Sequence, residues 1–176
     1  MHLEIEAKAY VRNIKKIEKT LTEMGAQYQA TYHQIDSYYN HPSRDFATTD
    51  EAVRIRNTDT ESFLTYKGPK LDTRTKTREE LELSIDNPET GKTIMERLGF
   101  RFIAQVKKKR TVYTYEHVHF CLDEVEGLGH FVEVEIQEED VEKGKSKILD
   151  FLRELDMQEL ERRSYLELLL EKNGCS

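Results

Sequence analysis

Apolar and charged side chains alternate through the opening "MHLEIEAKAY", which is the period of a β-strand, so residues 2–10 are read as one. The next stretch, "NIKKIEKTLTEMG", changes period. Ile14, Ile17, Leu21 and Met24 fall on one helical face, with Asn13 placed to cap the start and Gly25 to stop the end. Residues 27–39, "QYQATYHQIDSYY", are rich in strand-forming tyrosine and threonine, and "NHPSRDFATTDE" reads as a loop. "AVRIRNT" and "SFLTYKG" are two strands joined through "DTES", "PKLDTRTK" is a loop, and "TREELELSI" alternates again. "NPETGKTIMERLG" is a helix with Asn87 as N-cap, Pro88 at its first position and Gly99 beyond its end. Strands follow in "FRFIAQVKKKRTVYTYE", "VHFCLDEVE" and "HFVEVEIQEE", then helices in "VEKGKSKILDFLREL" and "ERRSYLELLLEK". The pattern predicts an α+β chain of about eight strands and three or four helices, and strands connected mostly as hairpins can close into a barrel.

The content of the alternation matters more than its period. The polar positions carry full charges, and their signs segregate. The first strand offers Glu4, Glu6 and Lys8; the third, Arg54 and Arg56; the fourth, Lys67; the fifth, Lys76, Arg78, Glu80 and Glu82; the sixth, Lys108 and Arg110; the seventh, Asp123; the last, Glu133 and Glu135. Side chains at i and i+2 on a strand stand about 7 Å apart on one face. For a single strand, the ordinary arrangement turns the charged face to water. The amphipathic helices also need an apolar sheet surface to cover. If they pack outside a barrel, the apolar strand faces point outward and the charged faces line the inside. Charges survive there only when paired or ligated, a condition that a polar tunnel holding water, metal and a polyanion would satisfy; a barrel with an apolar inside and a charged outside is the other arrangement the pattern allows.

At 176 residues the chain suits a single domain, 1–176, with a real core. A net charge of −7 argues against nucleic-acid or anionic-membrane binding, which need broad positive surface, while local basic clusters still suit a compact anion. Cys121 and Cys175 show no metal or disulfide spacing. No signal-like segment or apolar run of membrane-spanning length appears, so a soluble cytoplasmic protein is expected. The sequence leaves a homodimer open.

The "EIEAK" near the start resembles the ExExK signature of the CYTH family, the triphosphate tunnel metalloenzymes. "DSYY", "AVRIR", "LTYKGP", "TREELEL", "KKKR", "LDEVEGLG" and "FVEVE" follow in that family's order and span nearly the whole chain. The helix "TGKTIMERLGF" before "KKKR" and the closing "RRSYLELLL" are similar to the class IV adenylyl cyclase (CyaB-like) branch. The resemblance implies a closed eight-stranded antiparallel tunnel, with helices outside, binding a triphosphate and a divalent metal.

On that reading, Lys8, Arg54, Arg56, Lys67, Lys76, Arg78, Lys108 and Arg110 are the candidates for neutralising the triphosphate, arginine with a two-pronged geometry. Glu4, Glu6, Asp123, Glu133 and Glu135 are the candidate oxygen ligands for Mg²⁺ or Mn²⁺, with Glu80 and Glu82 as ligands or as partners of the neighbouring cations. Glu4, Glu6, Lys8 and Asp123 form the expected catalytic set. Lys107 and Lys109 have the opposite phase to Lys108 and Arg110, and a bulge would exchange the two pairs. His117 and His119 are expected at the surface; Ser164 and Tyr165 match the cyclase-like ending, and a helix cap and a packed ring account for them as well. The expected activity is conversion of ATP to cyclic AMP and pyrophosphate. The alternatives are a triphosphatase acting on tripolyphosphate, a nucleotide or thiamine triphosphate, and a polyphosphate-binding module without turnover. Two further expectations concern behaviour. Replacing Arg56 by alanine should weaken triphosphate binding while leaving stability unchanged or higher, and residues 68–77 should form a mobile lid that orders over bound phosphates.

Overall fold

The computed structural model describes residues 3–71, 78–138 and 140–174, Leu3 and Glu4 by backbone alone. The elements run β1 (Leu3–Val11), α1 (Ile14–Glu23), β2 (Gln27–Asn40), α2 (Phe46–Thr49), β3 (Ala52–Thr58), β4 (Ser62–Lys67), β5 (Arg78–Ser84), α3 (Pro88–Arg97), β6 (Arg101–Tyr115), β7 (Val118–Val125), β8 (Gly129–Gln137), α4 (Val141–Glu154) and α5 (Tyr165–Lys172). The expected strands are present. The stretch read as a loop before β3 contains the single turn α2, capped by Asp45. Lys76, Cys175 and the segment 72–77 of the expected lid lie outside the described residues.

Local chemistry sets the helix starts. The Asn13 side chain accepts from the Lys16 amide, Asn87 from that of Thr90 and Asp140 from that of Lys143. Ser164 and Glu167 make a reciprocal capping box at α5. Gly25 and Gly99 follow their helices with φ of 90° and 91°, the left-handed conformation that glycine adopts without strain.

All strand pairs are antiparallel, in the order β1-β5-β4-β3-β2-β6-β7-β8. The sheet curls until β1 meets β5. The β1–β8 ladder runs from Glu4↔Gln137 to Val11↔His130, whereas β1 and β5 pair only at Leu3↔Glu79 and Glu4↔Arg78. Among the described residues the sheet is therefore a curled wall joined by a short seam, rather than a barrel paired along every strand.

Helices α1 to α4 cover the outside of this wall. Ile17 and Leu21 of α1 and Ile148 and Leu152 of α4 pack on Ile5, Ala7, Ala9 and the apolar faces of β7 and β8. Gly144 lets α4 approach closely: a Cβ there would stand 2.6 Å from the Ile5 side chain. Met95 of α3 and Phe46 of α2 meet Tyr39, Val53 and Ile55. Tyr165 of α5 differs: it packs with Tyr38, Val106, Val125 and Phe131, which share strand phase with Asp36, Lys108, Asp123 and Glu133, so α5 meets the inner face, not the outer one, while the helices before it bury the outer faces. Burying these outer faces removes apolar area from water at about 25 cal/mol per Å², and it turns the alternate, charged positions inward. Among the described residues no helix is long and apolar enough to cross a membrane.

Candidate active site

The inner face gathers polar groups that a core would normally exclude. Glu6, Lys8, Gln34, Asp36, Arg54, Thr65, Arg78, Lys108, Arg110, Asp123 and Glu133 are all buried. On β6, Lys108 and Arg110 are buried while Lys107 and Lys109 are exposed. No shift of register interrupts that stretch, so the phase of "KKKR" is the one expected. His117 and His119 are exposed.

Two ion networks organise the cations. The first joins β6, β7 and β8. Arg110 Nε and Nη2 donate to the two Asp123 oxygens at 2.7 and 2.6 Å, and Nη2 also donates to Glu133. Tyr165 Oη donates to Asp123 Oδ2 at 2.7 Å, and Lys108 Nζ stands 3.7 Å from the same oxygen. Burial disfavours the Asp123 carboxylate, but Arg110 and Lys108 overcome it and hold its pKa below the usual range. Asp123, expected as a metal ligand, stands here as a counterion of Arg110 and Lys108. Both its oxygens are engaged by arginine and tyrosine, and it acts as the anchor for Arg110.

The second network joins β2, β3, β4 and β5. Arg56 Nε and Nη2 grip the Asp36 carboxylate at 2.7 and 2.8 Å. Arg54 is held at longer range, with 3.6 Å from Nη1 to Asp36 and 3.8 Å from Nη2 to Glu80. Lys67 pairs with Glu80 at 2.8 Å, and Thr65 donates to Glu82 at 3.0 Å. Glu80 thus serves as a partner of the cations, one of its two expected roles. Burial works against Asp36 too, yet Arg56 and then Arg54 depress its pKa far below the usual range. At the rim, Asp50 receives the Lys70 ammonium at 2.7 Å, with Arg78 Nη2 at 3.9 Å.

Lys8 is tied to the C-terminal segment. Its ammonium donates to the Arg163 carbonyl at 2.6 Å and lies 4.0 Å from the centre of the Tyr165 ring. Lys108 faces the same ring at 4.9 Å. Burial, reinforced by the Arg110 charge, pulls the Lys108 pKa down to about 8. Ser164 is a cap and Tyr165 a packed ring, and the Tyr165 hydroxyl adds a direct bond to the buried network.

The carboxylates of β1 and β8 face one another. Glu6 is directly opposite Glu135, and Lys8 is opposite Glu133. The Glu4 side chain lies outside the described residues. Among the described residues, no three His, Cys, Asp or Glu side chains form a metal cage. The opposed pair still fits a hard divalent cation of the Mg²⁺ kind, which is commonly bound by one or two carboxylates with water and substrate phosphates completing its shell.

Asp36, Gln34 and Thr65 were not singled out from sequence. Asp36 opens the "DSYY" stretch and shares phase with Gln34 and Tyr38, but its strand holds no other carboxylate that would mark it as part of a charged face. Its partner Arg56 becomes visible only through the β2–β3 register.

The CYTH domain family pattern matches residues 2–165. A Methanocaldococcus jannaschii protein described as a candidate adenylate cyclase is 38% identical over 172 residues, covering 94% of this chain and 98% of that protein. The adenylate cyclase CyaB of Aeromonas hydrophila is 26% identical over 140 residues, covering 76% of this chain and 70% of the relative. A solved Pyrococcus horikoshii structure superposes with a TM-score of 0.88 at 43% identity, covering 96% of this chain and 99% of that one. The chain belongs to the CYTH family.

Proposed function

We propose that this protein is a divalent-metal-dependent enzyme of one domain that converts ATP to cyclic AMP and pyrophosphate, with the curled sheet closing as a tunnel around the triphosphate. The observation that carries the reading is the cluster of buried cations on the inner face. Arg54 is the sharpest case: its Nε is buried with no hydrogen-bond partner among the described residues, and its ion pairs are long. A buried donor in that state is costly until an anion meets it. The adenylate cyclase descriptions of the M. jannaschii and A. hydrophila relatives support the cyclase among triphosphate reactions.

On this reading Arg54, Arg56, Lys108 and Arg110 bind and orient the phosphates, with Lys8, Lys67 and Arg78 at the ends of the row. Asp36, Asp123 and Glu80 keep those cations in place. Glu6 and Glu135, with the expected ligand Glu4, would hold Mg²⁺ or Mn²⁺, which would supply charge neutralisation at the phosphoryl oxygens. The substrate's 3′-oxygen then forms a bond to the α-phosphorus as the bond to the β-phosphate oxygen breaks. Pyrophosphate leaves with the electron pair, and the hydroxyl proton passes to a wall carboxylate or to water. The walls contribute by positioning and by electrostatics in a site shielded from solvent.

The test is to incubate the pure protein with ATP or tripolyphosphate plus Mg²⁺ or Mn²⁺ and identify the products. Cyclic AMP with pyrophosphate is expected from ATP. Release of inorganic phosphate instead would assign a triphosphatase, and tight binding without turnover would assign a polyphosphate-binding module.

A further inference from the structure

Gln34 is an inner-face residue to which the reaction just described gives no task. It lies on β2 two residues before Asp36 and is 4% exposed. Its cross-strand neighbours are Lys108 on β6 and Thr58 on β3. The flanking rungs place Arg110 opposite Tyr32 and Arg56 opposite Asp36, so Gln34 sits within the cation row. Its Oε1 is buried and has no hydrogen-bond partner among the described residues.

The nearby donors are directed elsewhere. Arg56 is forked on Asp36, Arg110 on Asp123, and Lys108 approaches Asp123 and the Tyr165 ring. A triphosphate does not supply the missing partner either. Among cations its oxygens are deprotonated acceptors, and a carbonyl oxygen needs a donor. The group that brings an O–H in among the phosphates is the nucleophile of a phosphoryl-transfer reaction.

We infer that Gln34 positions the attacking O–H group, with Oε1 accepting its hydrogen bond so that an oxygen lone pair faces phosphorus. The inference rests on the triphosphate reaction proposed above. An amide is too weak a base to take the proton, so Gln34 orients the nucleophile and the proton leaves by another path. Two sources share this chemistry: a ribose hydroxyl, giving a cyclic product, and water, giving phosphate.

The test compares wild type with Gln34→Leu, which keeps the bulk and removes the acceptor, and Gln34→Glu, which keeps an acceptor at the same length. Turnover of ATP and of tripolyphosphate with Mg²⁺ or Mn²⁺ is measured with product analysis, alongside calorimetric affinity and thermal melting. Gln34→Leu should lower kcat by about 100-fold, the scale of a misplaced reacting group, with KM and affinity unchanged and Tm equal or higher. Gln34→Glu should retain more kcat than Gln34→Leu, although its added negative charge raises KM. A loss confined to cyclic AMP identifies the ribose hydroxyl, and a loss of phosphate release identifies water; both support the inference. A wild-type kcat in Gln34→Leu overturns it, as does a defect carried by KM or by a fall in Tm. If wild type itself turns over neither triphosphate, the proposed function fails and the role of Gln34 falls with it. A turning-over wild type beside an unimpaired Gln34→Leu removes the role of Gln34 alone.

Discussion

Replacing Asp36 by asparagine tests whether the cations of the inner face depend on counterions built into the wall. Asp36 is 1% exposed and takes both arms of the Arg56 fork at 2.7 and 2.8 Å, with Arg54 at 3.6 Å. Asparagine preserves the shape. It offers one acceptor oxygen where the carboxylate offered two, and turns an NH₂ group toward a guanidinium. The buried Arg54 and the partly buried Arg56 would then lack this counterion, and breaking a buried pair from one side costs about 3–5 kcal/mol. For a domain of this size that corresponds to a Tm lower by about 6–20 °C. The assay is thermal and urea unfolding of both proteins, with and without tripolyphosphate and metal. The ligand should recover part of the loss, because phosphate oxygens would face the same guanidiniums. The pH dependence carries a further signature. A depressed carboxylate pKa contributes stability that is present above the unfolded value of about 3.9 and lost as pH falls toward the folded value. The acid limb below about pH 4 should therefore be shallower in Asp36→Asn. An unchanged or raised Tm at neutral pH would refute the argument. The same pairing corrects the expectation that Arg56→Ala leaves stability unchanged or higher: removing the fork strands a buried carboxylate, so both stability and triphosphate affinity should fall.

Tyr165→Phe removes the bond to Asp123 without opening a cavity, and should lower stability by about 1.5–3 kcal/mol; a urea midpoint equal to wild type would show that Arg110 alone holds Asp123. Excess chelator should abolish turnover and added Mg²⁺ or Mn²⁺ restore it, and Glu6→Gln or Glu135→Gln should lose metal-dependent turnover by orders of magnitude while circular dichroism stays native. Full activity in chelator contradicts that assignment. Lys108, with its pKa drawn down to about 8 by burial and Arg110, burdens the fold while charged. That burden is present below about pH 8 and is relieved as pH rises toward the ordinary value of about 10.4, so this group makes stability rise across that interval. Tripolyphosphate affinity should fall over the same rise, and Lys108→Arg should flatten it; parallel profiles would place the titration elsewhere.

The division of a strand into two faces was legible where charged and apolar residues alternate without a break, as in Glu4 to Ala9 and Val132 to Ile136. The helices completed the reading, since their apolar stripes require an apolar outer surface. Pairing was not legible. Cross-strand partners such as Lys8 and Glu133 lie far apart in the chain, and their meeting depends on how a curled sheet joins its first strand to its last. Asp36, although it opens "DSYY", showed no pairing role for the same reason, as a lone carboxylate among Gln34, Ser37 and Tyr38. Counting charges by sign alone therefore misses which carboxylates the wall pairs with its own cations. Where the register sets a carboxylate against a cation, as in Asp36 with Arg56, Arg110 with Asp123 and Lys67 with Glu80, the wall neutralises itself and the carboxylate becomes a support. Where the register sets Glu6 against Glu135, two carboxylates share a rung, the arrangement proposed above to receive a divalent cation. The same strand alternation thus gives a carboxylate a cation or another carboxylate as its neighbour according to what lies across the rung, and that is information carried by the fold rather than by any one strand.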